Sequence, residues 1–202
     1  MSLNGWKVER VTRKEVTEFI ELWHYSKSIN GCIADFCYAL YDQDCVMKGA
    51  MFYGRMAMAN QWKRFSKSSK SVIELRRLCC VDDTPKNAES FFIGKTLKLL
   101  NQHWGNGTVV SYADKEYGHS GVIYKASNFE MVGEIKGARV IIFNGKRYHD
   151  KTIRTKYKGV LKPFATKVKD ALLTGEAYYK KTSGKFTYTY TLKNKRNTGG
   201  CF

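Results

Sequence analysis

The chain has 202 residues, 43% of them hydrophobic and only two of them proline, which suits one folded domain, or one domain with an elaborated end. No apolar run reaches the roughly 18 residues of a membrane span, and "MSLNGWKVERVT" lacks the apolar stretch of a secretory signal, so a cytoplasmic protein is expected. Lys and Arg number 35 against 18 Asp and Glu, a net charge of +17 that says nothing about fold but favours a polyanionic partner.

In chain order, "GWKVERVTR" alternates as a first strand. "TRKEVTEFIELWHYSKS" follows with Val16, Phe19, Ile20 and Trp23 at helical spacing; Thr12 is the expected N-cap, with Glu15 completing a capping box. "GCIADFCYALYDQDCVMKGAMFYG" reads as a hairpin about the polar turn at Asp42 to Asp44. The basic, Ser-rich "RMAMANQWKRFSKSSKS" is expected to be a loop with at most a helical turn. "SVIELRRLCCVDD" is a strand, and "TPKNAESFFIGKTLKLLNQHW" a helix with the stripe Phe92, Ile93, Leu97, Leu100 and Trp104. "GTVVSYAD" is a strand and "GHSGVIYKAS" a short helix; "FEMVGEI" and "ARVIIFNGKRYH" are further strands. "ATKVKDALLTGEAYYKK" looks helical, and "YYKKTSGKFTYTYTL" carries the Thr-Ser-Gly turn and Thr/Tyr alternation of a closing hairpin. The layout is mixed α/β rather than doubly wound.

Two compositional features bear on function. Six cysteines, none in C-x-x-C spacing, are expected to be reduced thiols acting as small hydrophobes, with Cys79 or Cys80 facing the core. Charge is concentrated late: residues 146–202 hold 15 Lys and Arg against three acids, +12 of the +17. Aromatic residues are interleaved with those cations, Tyr148, Tyr157, Phe164, Tyr178 and Tyr179 among them, so phosphates can take the charge while bases stack on the rings. A solvated basic surface is the plainer alternative.

From Val72 to Gly133 the order strand, long helix, strand, short helix with a Tyr, Asn-Phe, strand resembles the core of the GNAT acyltransferase fold. That resemblance implies a mostly antiparallel central sheet flanked by helices. It implies further that the first strand's open edge takes the pantetheine arm of an acyl-coenzyme A and that the next helix offers its N-terminus to the pyrophosphate. "YKASNFEMVG" is similar to the family's Y-x-x-x-G-F-x-x-x-G run. The family's glycine-rich loop at the helix start is missing, however: "TPKNAES" stands there.

A narrower resemblance covers most of the chain. "WHYSKS" (23–28), "ELRRLCCVDDTPKNAESFFIGKTL" (74–97) and "SYADKEYGHSGVIYKASNF" (111–129) resemble the phage Mom family of DNA-modifying proteins, GNAT-like enzymes without the glycine loop. Membership would imply conversion of adenine in duplex DNA to its carbamoylmethyl (acetamido) form at the exocyclic amine, protecting phage DNA from restriction in the bacterial cytoplasm. It would point to His24, Arg77, Ser90 and Asp114 as site residues, with Tyr124 where many GNAT enzymes keep an acid for the departing thiolate. Arg77 and Lys86 suit a phosphate, Ser90 a hydrogen bond, and Leu78 lies on the same strand edge. His24 suits a base and Asp114 an orienting carboxylate, and both are of the types that ligate iron. Each has a plainer role available. His24 can be a packing histidine, Arg77 can pair with Glu74 or Asp82, Ser90 can simply begin a helix, Asp114 can be a turn residue and Tyr124 a core one.

The expected organisation is a GNAT-like core over 1–143 and a basic, aromatic-rich extension over 144–202 packed on it. Lys151, Arg154, Lys156, Lys158, Lys180, Lys181, Lys185, Lys193, Lys195 and Arg196 would grip double-stranded DNA, while Trp62 or an exposed Tyr fills the gap left by an extruded base. Acetyl-coenzyme A or a related acyl donor is the expected cosubstrate. The alternatives are an acyltransferase acting on another base, a small amine or a protein lysine, and a non-catalytic DNA-binding protein on the same scaffold.

Overall fold

The computed structural model describes residues 2–58 and 60–193. Strands β1 (Lys7–Arg10), β2 (Phe36–Tyr41), β3 (Met47–Gly54), β4 (Val72–Cys80), β5 (Gly107–Asp114) and β6 (Glu130–Ile135) are joined by β12 (Lys185–Leu192) in a seven-stranded sheet of order β1-β2-β3-β4-β5-β12-β6. The first four strands pair antiparallel, and β4 and β5 pair parallel. Helices α1 (Arg13–Trp23), α2 (Ala88–His103) and the short α3 (Val122–Ala126) accompany it. No helix among the described residues is long and apolar enough to cross a membrane.

Strand alternation decides which helix meets which residue. Along β3, Ala50 and Phe52 turn to α1 and pack with Val16, Phe19, Ile20 and Cys37. Met51 and Tyr53 turn to α2, where the Tyr53 hydroxyl lies 2.7 Å from Thr96 Oγ1. The capping box of α1 forms as its sequence requires: Glu15 accepts from the Thr12 N–H at 2.7 Å and Thr12 Oγ1 accepts from the Glu15 N–H at 3.4 Å. The Ser-rich segment after β3 holds two single 3-10 turns, Gln61–Arg64 and Ser69–Ser71. Cys79 packs against the core shared with α1, and the five described cysteines are free thiols.

A second compact unit comprises residues 114–120 and 134–186; the first comprises the rest. Its sheet has the order β11-β7-β8, built from β7 (Arg139–Phe143), β8 (Lys146–His149) and β11 (Ala177–Lys181). Helix α4 (Pro163–Thr174) lies against one face through Val168 and Ala171, which meet Ile141, Phe143 and Ala177. A two-stranded ribbon, β9 (Lys156–Tyr157) with β10 (Val160–Leu161), completes the unit.

Two expectations are corrected here. The helix expected through Lys181 ends at Thr174, because Gly175 adopts φ 85° as its C-cap and the β-prone Tyr178-Tyr179 pair then enters β11. The hairpin expected across Thr182 to Gly184 does not form: β11 pairs with β7, whereas β12 enters the large sheet. The last strand, β12, thus enters the large sheet, and most of the second unit lies between β6 and β12 in the chain. The two crossings meet closely, with the Thr182 N–H donating to Ala138 O at 2.9 Å. Gly184, at φ 86°, allows this, because a Cβ there would lie 2.3 Å from Ile135 O.

Candidate active site

The parallel ladder between β4 and β5 lasts only three residue pairs, Val72 to Glu74 against Thr108 to Val110. Beyond it the strands part. Ser111 Oγ donates to Leu75 O at 3.3 Å across the opening, the last side-chain bridge before β4 runs on with one edge unpaired by β5. On its other side β4 is bulged: Phe52 pairs with Arg77 and Tyr53 with Leu75, leaving Arg76 as the extra residue. A strand with a free edge at the sheet's middle, next to a bulge, is where an extended ligand can be held by backbone groups.

Residues from several elements converge on this opening. Glu74 and Arg76 form a largely buried ion pair at 3.4 Å, and Arg76 also donates to Arg55 O at 3.0 Å. The pairing foreseen for Arg77 is thus made by its neighbour. Arg77 donates from Nη1 to Arg76 O at 2.8 Å, while its Nε is buried with no hydrogen-bond partner among the described residues. A guanidinium N–H left without an acceptor is costly unless a ligand supplies one. Leu78 faces Met51 one residue further along.

Tyr124, on α3, is buried, and loss of water pushes its phenol up to about 12, although a hydrogen bond with Ser111 and its neighbours oppose or add smaller effects. Its ring lies 5.3 Å from Tyr188 and 5.6 Å from Phe129. Tyr112 is likewise pushed up to about 12 by burial, and its hydroxyl accepts from Gln61 Nε2 at 2.7 Å. Both phenols are therefore neutral donors at ordinary pH.

At the start of α2, Ser90 Oγ donates to Asn87 O at 3.0 Å, and Lys86 is exposed beside it. Ser90 also lines a cleft of about 620 Å³ that follows α2 past Gly94 and Lys98 to Asn101, closed by Ser127, Asn128 and Thr189 to Lys193. The absent glycines find an explanation here. Asn87, at the helix N-cap, has φ 70°, and Asn128, in the place of the glycine of the Y-x-x-x-G-F run, has φ 61°. Asparagine is the residue besides glycine that best tolerates the left-handed region, so both positions adopt it without a glycine.

His24 ends α1 and is 5% exposed. Its Nδ1 accepts the Ser26 N–H at 3.0 Å, which places the proton of the neutral ring on Nε2, and its ring lies 4.1 Å from that of Tyr25. Asp114, described with the second unit, is 6% exposed: Oδ1 accepts the Glu116 N–H at 3.1 Å and Oδ2 lies 2.9 Å from Lys185 Nζ. Among the described residues no three His, Cys, Asp or Glu side chains gather as a metal site, so the iron considered for His24 and Asp114 gains no support.

The expected DNA-gripping cations divide into three groups. Lys151, Lys156, Lys158 and Lys181 are exposed in the second unit and have no carboxylate partner among the described residues. Arg154, Lys180 and Lys185 are held by Asp150 at 2.8 Å, Glu116 at 2.7 Å and Asp114 at 2.9 Å. Lys193 lines the α2 cleft of the first unit, and Lys195 and Arg196 lie outside the described residues. Sequence reasoning named Glu74 only as a partner for Arg77, and it overlooked Arg76, Ser111 and Tyr112. An acid and two arginines inside an otherwise apolar strand was the available signal for Glu74 and Arg76; for Ser111 and Tyr112 there was none beyond their place at a strand end.

A model of the Mom protein family matches residues 5–199 of the chain. The methylcarbamoylase mom of Escherichia phage Mu is 30% identical over 114 residues, which cover 55% of this chain and 47% of that protein. The chain thus spans about half the length of the curated relative it matches. A Bacillus subtilis acetyltransferase solved in complex with CoA superposes with a TM-score of 0.52 at 11% identity, over 93% of this chain and 99% of that one. An acetyltransferase from Salmonella typhimurium with its cofactor acetyl-CoA gives 0.52 at 9% identity, over 98% and 100%. The ribosomal-protein-S5-alanine acetyltransferase of Vibrio fischeri gives 0.51 at 8%, over 96% and 97%. At these identities the likeness is one of fold, the mixed α/β GNAT fold with its mostly antiparallel sheet.

Proposed function

The chain belongs to the Mom protein family, and from that premise we propose that it is a phage DNA-modifying transferase, altering adenine at its exocyclic amine and protecting phage DNA from restriction in the host cytoplasm. The observation that carries the reading is the family match over residues 5–199 of 202. The methylcarbamoylase name of the Mu relative supports the carbamoylmethyl product. The basic second unit supports double-stranded DNA as the partner, because its exposed cations exceed what a small acceptor amine would need.

An acyl-coenzyme A donor fits the residues present. The free edge of β4 near Leu78 would take an extended arm, Ser90, Lys86 and the N-terminal turn of α2 would hold a phosphate, and the Arg77 Nε–H, without a partner among the described residues, would meet an anionic oxygen. Such a donor supplies an activated acyl group with a thiolate as leaving group. Tyr124, kept neutral by burial, would be the hydrogen-bond donor for that thiolate, and the Glu74–Arg76 pair holds β4 in its bulged form. His24 supplies the base for the proton released as the adenine amine forms its new bond, taking it at Nδ1, the ring nitrogen that carries no hydrogen. Acyl transfer from such a donor puts a carbonyl carbon on the adenine nitrogen, whereas a carbamoylmethyl group is joined through its methylene carbon and ends in an amide, so that product needs both a second nitrogen source and a step other than acyl transfer.

The test is to express the chain, digest host DNA to nucleosides and measure deoxyadenosine mass. A carbamoylmethyl or an acetyl addition is distinguished by its mass. A shift confined to another base would leave the enzyme class and remove the adenine assignment. Unshifted DNA from soluble, folded protein would overturn the reading in favour of a DNA-binding role.

A further inference from the structure

The ribbon "TKYKGVLK" in the second unit is built to be stiff and yet leaves its apolar residues in water. Tyr157 pairs with Val160 and Lys156 with Leu161, and the Lys162 N–H donates to Thr155 O at 3.0 Å, closing the base. The two residues at the tip, Lys158 at φ 47° and Gly159 at φ 84°, both occupy the left-handed region, as the tight type I′ turn demands. Directly paired residues share a face of the ribbon, so Tyr157 and Val160 form one small apolar surface beside the turn. They are 66% and 72% exposed. A two-stranded ribbon this short gains nothing for folding by presenting them to solvent.

The charge around the tip says what kind of partner would cover them. Residues 146–162 contain seven Lys and Arg and one acid, Asp150, whose carboxylate already meets Arg139 and Arg154. Lys151, Lys156, Lys158 and Lys162 have no carboxylate partner among the described residues, and Lys158 Nζ lies 5.6 Å from the Tyr157 ring centre. An apolar pair two side chains wide is far too small to bury the roughly 800 Å² per partner of a stable protein interface. It matches an apolar wedge placed between two stacked base pairs, with the flanking cations on the phosphates of either strand.

We propose that the β9–β10 ribbon is the wedge that opens the duplex: Tyr157 and Val160 enter the base stack while Lys156, Lys158 and Lys162 hold the adjoining backbone. The inference rests on the DNA reading above and deepens it, since an enzyme acting on a paired adenine must first take that base out of the stack. It also replaces Trp62, which is half-buried, as the side chain that fills the vacated space.

Permanganate oxidation of unstacked thymines in a long duplex tests this without knowledge of the target sequence. The full-length protein is expected to raise thymine reactivity at discrete positions. The double variant Tyr157→Ser with Val160→Ser is expected to lower it about five-fold or more, with duplex affinity changed less than about three-fold, because phosphate contacts remain. Tyr157→Phe keeps the ring and should keep the opening. Both positions are exposed, so the fold is not at stake. Unchanged reactivity in the double variant overturns the wedge, as does a parallel loss of affinity and opening, which would make the ribbon a backbone grip. Nucleoside masses from the same proteins separate the two readings. Adenine modification with Tyr157-independent opening sinks the wedge alone; Tyr157-dependent opening without modification upholds the wedge and sinks the modification. A wild-type protein that neither binds nor opens duplex DNA sinks both.

Discussion

The two units of this chain are built from opposite materials, which suits the two tasks of the proposed function. The first buries Tyr38, Tyr53, Phe52, Phe92 and Leu100 completely and ties some of its interior polar side chains in pairs, Glu74 to Arg76 and Tyr53 to Thr96. The second rests on a small core of Ile141, Phe143, Val168, Ala171 and Ala177 and sends nearly all of its cations outward. Chemistry on a buried base needs fixed donors in a dry environment, where a hydrogen bond is strong and a phenol stays neutral. Gripping a polyanion needs solvated cations whose counterions can be released, and those ask little of the core.

The largest expected effect sharpens the contrast in packing. Phe52→Ala removes a fully buried ring between β3 and α1 and should cost about 3–5 kcal/mol of unfolding free energy, read by urea denaturation. Leu173→Ala in the second unit touches an 81%-exposed side chain and should stay within about 0.5 kcal/mol. Equal costs would mean that the exposed face of α4 is covered in solution.

Next comes removal of the inserted unit itself. Because Thr182 and Ala138 are hydrogen-bonded and Gly184 sits against Ile135 O, the ends of the insertion meet, and a short Gly-rich turn can replace residues 138–182. Truncation after Phe143 would instead delete β12 from between β5 and β6 in the large sheet. The excised protein should keep a cooperative melt and lose duplex affinity by roughly a hundred-fold or more at low salt, with a flatter salt dependence. Retained affinity would move the DNA grip to the first unit.

That excision also shows where the sequence was legible. Strands and helices of the first unit announce themselves by period, and the box of Thr12 with Glu15 fixes the start of α1 to the residue. The blocks around His24, Arg77, Ser90 and Asp114 carried the family. What could not be read was long-range: "YYKKTSGKFTYTYTL" has every local sign of a hairpin, and only pairing with β7 on one side and β5 and β6 on the other separates its halves. The bulge at Arg76 and the early parting of β4 from β5 are equally silent in one dimension, since both depend on which neighbour a strand meets. The left-handed Asn87 and Asn128 could have been suspected from residue type alone.

A mid-sized effect concerns the dry site. Tyr124→Phe keeps the ring and removes its donor, so modification should slow by about ten- to a hundred-fold with duplex affinity unchanged. The same variant reports on pH. A phenol raised by burial favours the folded state fully below its unfolded value near ~10, and that stability is lost as pH rises through about 12. Cys37, pushed up to about 11, and Tyr112, up to about 12, act in the same direction and sit in the same unit. Wild type should therefore lose stability above about pH 10, and its advantage over Tyr124→Phe should narrow there. An advantage constant to pH 12 would mean that the hydroxyl is not desolvated.

The smallest expected effect tests the grip one cation at a time. Lys156 lies in the ribbon and Arg154 just before it, yet Arg154 already shares Asp150 at 2.8 Å whereas Lys156 has no carboxylate among the described residues. A cation that neutralises a phosphate contributes about 0.9 to the log–log salt slope. Lys156→Gln should therefore lower the slope by about one unit and the affinity several-fold at low salt. Arg154→Gln should do less, because binding DNA through Arg154 first requires giving up Asp150, and its loss leaves that carboxylate to Arg139 at 3.6 Å. Asp150→Asn then becomes the informative partner: it frees both arginines for phosphate and should steepen the slope above wild type. If Arg154→Gln and Lys156→Gln prove equal, the exposed ion pair exchanges freely with phosphate, and cation number alone sets affinity in the second unit.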